Sequence, residues 1–298
     1  MKDEPTTEPR VVLVTGASTG FGRLTAEALA RRGHRVFAGL RDVGGRNEKA
    51  AAELTAFASA AGVDLRVVEL DVTDQASADK AVGAVVDVAG RIDIVVNNAG
   101  AIFVGPVEPF TAEEAQRQFD VNVLGALRVN RAALPHLREQ GAGALIQIGS
   151  IASRVTTPFS GLYAASKAAL ASLTEAWHDE SAPFGVESVI LDAAPYPTNI
   201  GANATMPAAQ DRLAPYGTVF GGYVTAVTGH QGQAPGDPAE VSDAIVRLVE
   251  TPDGKRPRRT VVAPAVQREA VEAVNRAADS TAVAVNTDMG IAAFVAPR

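Results

Sequence analysis

Apolar positions follow two alternating rhythms from residue 11 to about residue 263. Short runs such as "RVVLVTG", "HRVFAGL", "DLRVVELDV", "IDIVVNNAG", "GALIQIGS" and "GVESVILDAAP" are almost continuous in Val, Ile and Leu. Strands covered by helices on both faces need such runs, because neither face meets water. Between them lie longer stretches of helix formers: "RLTAEALARRG" with its glycine stop, then segments near 46–62, 75–90, 111–139 and 161–181. A strand-like run followed by a helical one, repeated, predicts an α/β fold built on one parallel, doubly wound sheet. A helix at about 238–250 precedes "RRTVVAP", a seventh strand, and a helical patch follows near 266–279.

The rhythm breaks after Pro195 into a Gly-, Pro-, Ala- and Thr-rich stretch, so residues at about 196–237 are expected to make a partly helical excursion over the sheet. No repeat or linker divides the chain. The expected organisation is a loose tail over 1–9, one domain over 10–264, and a helix with an apolar tail over 265–298. That tail, "STAVAVNTDMGIAAFVAPR", is expected to pack on the domain or on a neighbouring subunit.

Composition narrows the function. With 298 residues, 47% of them hydrophobic, the chain can bury a full core. A net charge of −7 argues against a nucleic-acid partner, which would require a basic face. There is no cysteine, and His34, His136, His178 and His230 are scattered without ligand spacing, so no metal is expected. The first ten residues lack the apolar core of a secretory signal, and no run of eighteen apolar residues occurs, so a cytoplasmic protein without a membrane partner is expected.

Two stretches carry candidate chemistry. "VVLVTGASTGFGRLTAEALARRG" places Gly16, Gly20 and Gly22 between the first strand and the first helix. Glycines there permit a tight turn and close approach of backbone to a pyrophosphate, which the helix N-terminal amides favour. The spacing differs from the general G-x-G-x-x-G fingerprint, and a turn that merely needs glycine is the alternative. The second stretch, "SIASRVTTPFSGLYAASK", holds Ser150, Tyr163 and Lys167. Tyr163 and Lys167, four apart, share one face of a helix. A nearby ammonium favours a phenolate, so Lys167 is expected to draw Tyr163 down from the ordinary tyrosine range, toward acid/base work. Ser150, leaving the fifth strand, is placed to hold a substrate oxygen. A lone Tyr-x-x-x-Lys is more often a half-buried tyrosine beside a solvated lysine; the conjunction of motifs is what outweighs that reading.

In order and spacing, "TGASTGFG", "NNAG" at 97–100 and the Ser150–Tyr163–Lys167 stretch resemble the short-chain dehydrogenase/reductase family. The similarity runs from about Arg10 to Pro264 and is weakest over 199–237. It implies a Rossmann-type domain that interconverts a ketone or aldehyde and an alcohol by hydride transfer with a nicotinamide dinucleotide. It also implies Tyr163 as acid/base, Lys167 as its electrostatic partner and ribose anchor, Ser150 as substrate-oxygen ligand, and Asn122 as a link in a proton relay. Gly16, Ser18, Gly20, Phe21 and Gly22 would line the cofactor, with Asp71 and Val72 near the adenine and Asn98, Ala99 and Gly100 near the ribose. Thr198 would hold the carboxamide, although Ala193 and Ala194 replace the Pro-Gly often found before it. Homodimers or homotetramers through the 111–139 and 161–181 helices are implied as well, with Ala168, Ala169 and Ala171 permitting close packing.

Leu40 stands where an acid would bind a ribose 2′-hydroxyl, and Arg41 beside it suits a 2′-phosphate, so NADP(H) is expected over NAD(H). Asp42 would bring a carboxylate to the ribose if the second strand ran two residues further. Phe103, Phe159, Tyr196, Phe220 and Tyr223 are candidates for an apolar wall around a small-molecule carbonyl or alcohol, or equally for core packing. The competing reading is a dinucleotide-binding sensor on the same fold without turnover.

Overall fold

In the computed structural model, which describes residues 8–233 and 236–296, seven parallel strands form one sheet. They are β1 (Val11–Thr15), β2 (Arg35–Leu40), β3 (Leu65–Glu69), β4 (Ile94–Asn97), β5 (Gly143–Ser150), β6 (Val186–Ala193) and β7 (Arg259–Val262), in the order β3-β2-β1-β4-β5-β6-β7. Alternate residues of each apolar run point to opposite faces, and both faces are covered. Val12, Val14, Ile146 and Leu191 pack under α1 (Gly20–Arg31), α2 (Glu48–Ala61) and α10 (Ala239–Glu250). Leu13, Phe37, Val95 and Leu145 pack under α3 (Gln75–Ala89) and α5 (Gly125–Gln140), beside which α6 (Gly161–Ser181) lies along β5 and β6. This is the doubly wound Rossmann-type sheet that the apolar rhythm predicts.

The expected helix over 111–139 is two helices. A capping box between Thr111 and Glu114 opens α4 (Ala112–Phe119), a π-helical turn spans Asp120–Leu124, and α5 continues from Gly125. The π turn adds one residue to the helical path, and it carries Asn122.

The 196–237 excursion contains two one-turn helices, α7 (Asn199–Ala202) and α8 (Gln210–Leu213), and the longer α9 (Gly217–Gln233). Its first half is pinned to the body. Val104 N donates to Thr205 O at 2.9 Å and Thr205 N donates to Ile102 O at 3.0 Å. The buried Glu114 carboxylate, 4% exposed, accepts from Ala208 N at 3.1 Å.

At the C-terminus, α11 (Ala265–Asp288) runs nine residues beyond the expected patch. Val283, Val285 and Met289 of the apolar tail are exposed, as is Phe294 at 80%, while Ala296 N donates to Asp179 Oδ1 on α6. Residues 1–7 of the expected loose tail, Ala234 and Pro235 of the excursion and the last two residues lie outside the described residues.

Candidate active site

Strand order reverses between β1 and β4, which neighbour each other while β2 and β3 extend the other way. At such a switch point the loops leaving the two strands diverge and open a crevice at the carboxyl edge of the sheet. The glycine turn leaves β1 there, "NNAG" leaves β4, and Ser150 ends β5.

The glycine turn is held by exact fit. Gly16 and Gly20 take positive φ, +64° and +58°, a region that side chains rarely enter. A Cβ on Gly22 would lie 2.4 Å from Asn98 Nδ2 and 2.5 Å from Gly16 O, so only glycine lets α1 start this close to β1. Asn98 Nδ2 donates to Thr15 O and Gly16 O, and Thr15 Oγ1 accepts from the amides of Asn98 and Ala99 at 3.0 and 2.9 Å. Thr15 therefore locks the two loops together; the sequence reading passed over it because a threonine ending a strand looks unremarkable. Ser18 and Phe21 lie on the same turn, half-buried, and Phe21 meets Tyr196 edge-on at 6.0 Å. Thr198 comes to this turn from the far side of the crevice, its Cβ 3.5 Å from where a Gly20 Cβ would stand.

Ser150, Tyr163, Lys167 and Asn122 also meet. Tyr163 and Lys167 lie one turn apart on α6, and the Ser150 side chain, which accepts from Ala152 N at 3.1 Å, lies close enough to the Tyr163 hydroxyl to influence its ionisation. Lys167 is 5% exposed, donates from Nζ to Ile148 O at 2.7 Å, and comes within 3.9 Å of the Cβ position of Gly100. Asn122 Oδ1 accepts from Ala101 N at 2.8 Å, and its Nδ2 donates to Ala101 O and to Ser166 Oγ, both at 3.0 Å. The π turn thus clamps the segment after "NNAG" against α6, one residue from Lys167.

Burial pushes the Tyr163 phenol above the ordinary tyrosine range; the Ser150 side chain pulls it down and Asp192 pushes it further up. Burial also pulls the Lys167 ammonium down to about 8, with Asp192 acting the other way. From its place four residues along the helix, Lys167 is expected to lower Tyr163. Here the ammonium is committed to the Ile148 carbonyl, 5.8 Å from the Tyr163 ring centre, and burial dominates the phenol.

Other expected positions divide. Asp71 Oδ1 accepts from Thr73 N and Thr73 Oγ1 at 2.9 and 2.7 Å, fixing the loop after β3, and Val72 is buried against the start of α5. Strand β2 ends at Leu40, so Arg41 is exposed at its tip. The Asp42 carboxylate accepts from Arg46 N at 2.8 Å and is turned into its own loop. Tyr196 is core, 7% exposed, its hydroxyl donating to Glu240 at 2.9 Å, and is not a pocket wall. Phe103 is core as well, 5% exposed and tilted on Phe110. Phe159, Phe220 and Tyr223 do gather: Phe159 is 5.1 Å from Phe220 and 5.0 Å from Tyr223, joining the loop before Tyr163 to α9. Phe159 takes φ +62°, a costly conformation for an aromatic residue, and its carbonyl accepts from Gly105 N at 2.8 Å.

A dinucleotide fits these residues: a glycine cradle that a Cβ would fill, the free amides opening α1, and a buried ammonium with N–H groups beyond its bond to Ile148. Fold and site define a dinucleotide-dependent oxidoreductase. The sequence model of the short chain dehydrogenase family matches residues 10–209, and the chain belongs to that family. An uncharacterized oxidoreductase of Bacillus subtilis, YusZ, is 32% identical over 246 residues, covering 80% of this chain and 84% of its own. A 3-ketodihydrosphingosine reductase of Bacteroides thetaiotaomicron is 32% identical over 66% of this chain and 67% of its own. Among solved structures, an alcohol dehydrogenase of Thermococcus sibiricus complexed with 5-hydroxy-NADP superposes with a TM-score of 0.69 at 27% identity, covering 86% of this chain and 96% of that one. The protein is an NAD(P)-dependent dehydrogenase/reductase acting on a small molecule. Among the described residues no helix is long and apolar enough to cross a membrane.

Proposed function

We propose that this enzyme is an NADP(H)-dependent carbonyl reductase for apolar ketones, with Tyr163 as its proton donor. The observation that carries the reading is the meeting of Ser150, Tyr163 and Lys167 at the crevice that holds the glycine turn. The bound dinucleotide supplies the hydride. Ser150 Oγ and the Tyr163 hydroxyl grip the carbonyl oxygen, and Tyr163 delivers the proton that the new alkoxide needs. Lys167 holds ribose hydroxyls with the N–H groups that Ile148 leaves free. A phenol pushed up by burial is protonated at neutral pH and ready to donate, so reduction proceeds there while alcohol oxidation, which needs the phenolate, gains with rising pH.

The exposed Arg41 at the end of β2, beside an Asp42 whose carboxylate is already engaged, supports the 2′-phosphate form. Arg41→Ala is expected to weaken NADPH binding at least about tenfold, the loss of about 1.4 kcal/mol, while NADH affinity changes little. Fluorescence titration with both dinucleotides decides it, and equal losses remove the preference.

The Phe159–Phe220–Tyr223 cluster, which joins the loop before α6 to α9, supports an apolar substrate, in keeping with the ketone named for the Bacteroides relative. Tyr223→Ala is expected to raise KM for long-chain or polycyclic ketones several-fold and to leave KM for a small ketone such as acetoin unchanged. Steady-state kinetics on such a pair is the check; parallel changes would place Tyr223 outside the pocket. On the outer face of α5 and α6, an open groove lined by Leu127, Arg131, Leu134, Pro135, Arg138 and Trp177 supports pairing with a second copy. The direct test of the activity is titration with NADPH and NADH, then a panel of ketones and aldehydes followed by loss of reduced-cofactor absorbance. Binding without turnover in either direction would favour a sensor.

A further inference from the structure

Asp192 sits one residue from the C-terminal end of β6, fully buried, beside the Ser150 turn. It pairs in register with Gly149, where a Cβ would lie 2.3 Å from its Oδ1, so the glycine leaves the space its carboxylate fills. Oδ1 accepts from Ser150 N at 3.1 Å and lies 3.4 Å from Ser153 Oγ, while Oδ2 accepts from Arg259 on β7. Arg259 also donates to Glu175 of α6 at 2.9 Å; Glu175 accepts from Arg154 at 3.2 Å, and Arg154 donates to Asn275 of α11 at 2.8 Å. The charged and titratable groups around Asp192 are therefore Arg259 from β7, Arg154 from the turn after β5, and Tyr163, Lys167 and Glu175 from α6.

A buried ion pair contributes little to stability when weighed against apolar residues of the same shape. Its position beside the reacting groups calls for a role. We propose that Asp192 and Arg259 form a positioning pair for proton transfer: Asp192 fixes the Ser150 turn through its backbone amide, and the balance of the two buried charges sets the electrostatic potential at the Ser150–Tyr163 pair. Burial pushes the Asp192 carboxyl above the usual carboxylate range and Arg259 pulls it back; both its oxygens meet donors, so a protonated acid would turn its O–H against one of them, and this geometry favours the anion. The negative charge raises both the Tyr163 phenol and the Lys167 ammonium. Neither residue touches the substrate in this scheme; they act through Ser150 and Tyr163, and the inference rests on the catalytic reading of those two.

The test uses the full-length enzyme and the pH dependence of single-turnover alcohol oxidation, in which the phenolate is the active form and its formation gives the acid limb. Asp192→Asn keeps an oxygen for the Ser150 amide but removes one of the two carboxylates that face Arg259, so the limb is expected to move down by about half a pH unit or more, the scale of a unit charge nearby in a partly buried site. Asp192→Asn/Arg259→Gln removes both charges, and the limb is expected to return toward the parent value. A purely structural role predicts the opposite order: slower turnover in each variant, worse in the double, with the limb unmoved. That result would overturn the proposal. If Asp192→Asn does not fold, Glu175→Gln removes the next negative charge from a half-exposed position and is expected to shift the limb the same way by less; an unmoved limb again rejects it. Loss of all turnover in the parent enzyme would instead defeat the catalytic reading, so the two failures are distinguishable.

Discussion

Tyr163→Phe is expected to lower turnover by about 10²–10⁴-fold, the range for a positioned general acid or base, while the affinity for NADPH stays within about twofold. The substitution keeps the ring and removes one hydroxyl. That hydroxyl meets Ser150 at the end of β5, whereas the turn expected to hold the dinucleotide is built by Gly16, Gly22, Thr15 and Asn98 across the crevice. The proposed mechanism thus assigns binding and proton transfer to separate groups, and one measurement of each suffices: equilibrium titration for the first, single-turnover reduction for the second. Turnover within tenfold of the parent would remove Tyr163 from the chemistry. A matching loss of affinity would mean that the tyrosine serves the cofactor and that Ser150 or Lys167 must supply the proton.

Gly22→Ala is the second large effect. The added methyl would lie 2.4 Å from Asn98 Nδ2 and 2.5 Å from Gly16 O, and neither can withdraw cheaply. Gly16 is backbone at positive φ, and Asn98 already bonds both Thr15 O and Gly16 O. Relief has to come from moving α1 away from β1 or from breaking those bonds, at a cost of about 1–3 kcal/mol. The expected result is a melting temperature lower by several degrees together with dinucleotide affinity about tenfold or more weaker, read by thermal unfolding with and without cofactor. Gly83→Ala is the control: it sits in the middle of α3, its Cβ would meet nothing within 4 Å, and alanine favours the helix. Equal behaviour of the two variants would show that the glycine turn is not the binding element.

The sheet and the order of its motifs were legible because their cause is local. An apolar run such as "VVLVT" can be buried on both faces only as an inner strand, and the glycines after it leave few alternatives for the turn. Tyr163 and Lys167 were legible for the same reason: four residues on a helix fix a shared face. Contacts made across strands were hidden. Thr15 gains its meaning only when β4 lies beside β1, and Asp192 only when β5 brings Ser150 and β7 brings Arg259 to it. A single acid inside "VILDAA" was the available signal, since a strand buried on both faces admits a charge only beside a partner. Tyr196 was left open between pocket and core because an aromatic after a proline gives no sign of which side it packs on, and Glu240, which receives its hydroxyl, lies 44 residues away. The π turn was hidden as well, because apolar spacing over 111–139 tolerates a one-residue slip.

That slip has a price in design freedom. In a regular helix the angular position of each residue follows from the one before, so a face chosen for the core dictates every other face. The extra residue over Asp120–Leu124 resets the phase: α4 turns Glu114 and Gln118 toward the excursion and the 101–103 segment, while α5 turns Val129, Ala133 and Leu137 into the sheet. Asn122 stands in the gap between the two settings, where its side-chain amide binds the segment at Ala101 and Ser166 of α6. Removing a residue there would give a more regular rod and bring one of the two halves out of alignment with what it serves. An irregular helix, ordinarily read as a weakness, is here what allows a single rod to satisfy a hydrophobic core and a reaction site at once.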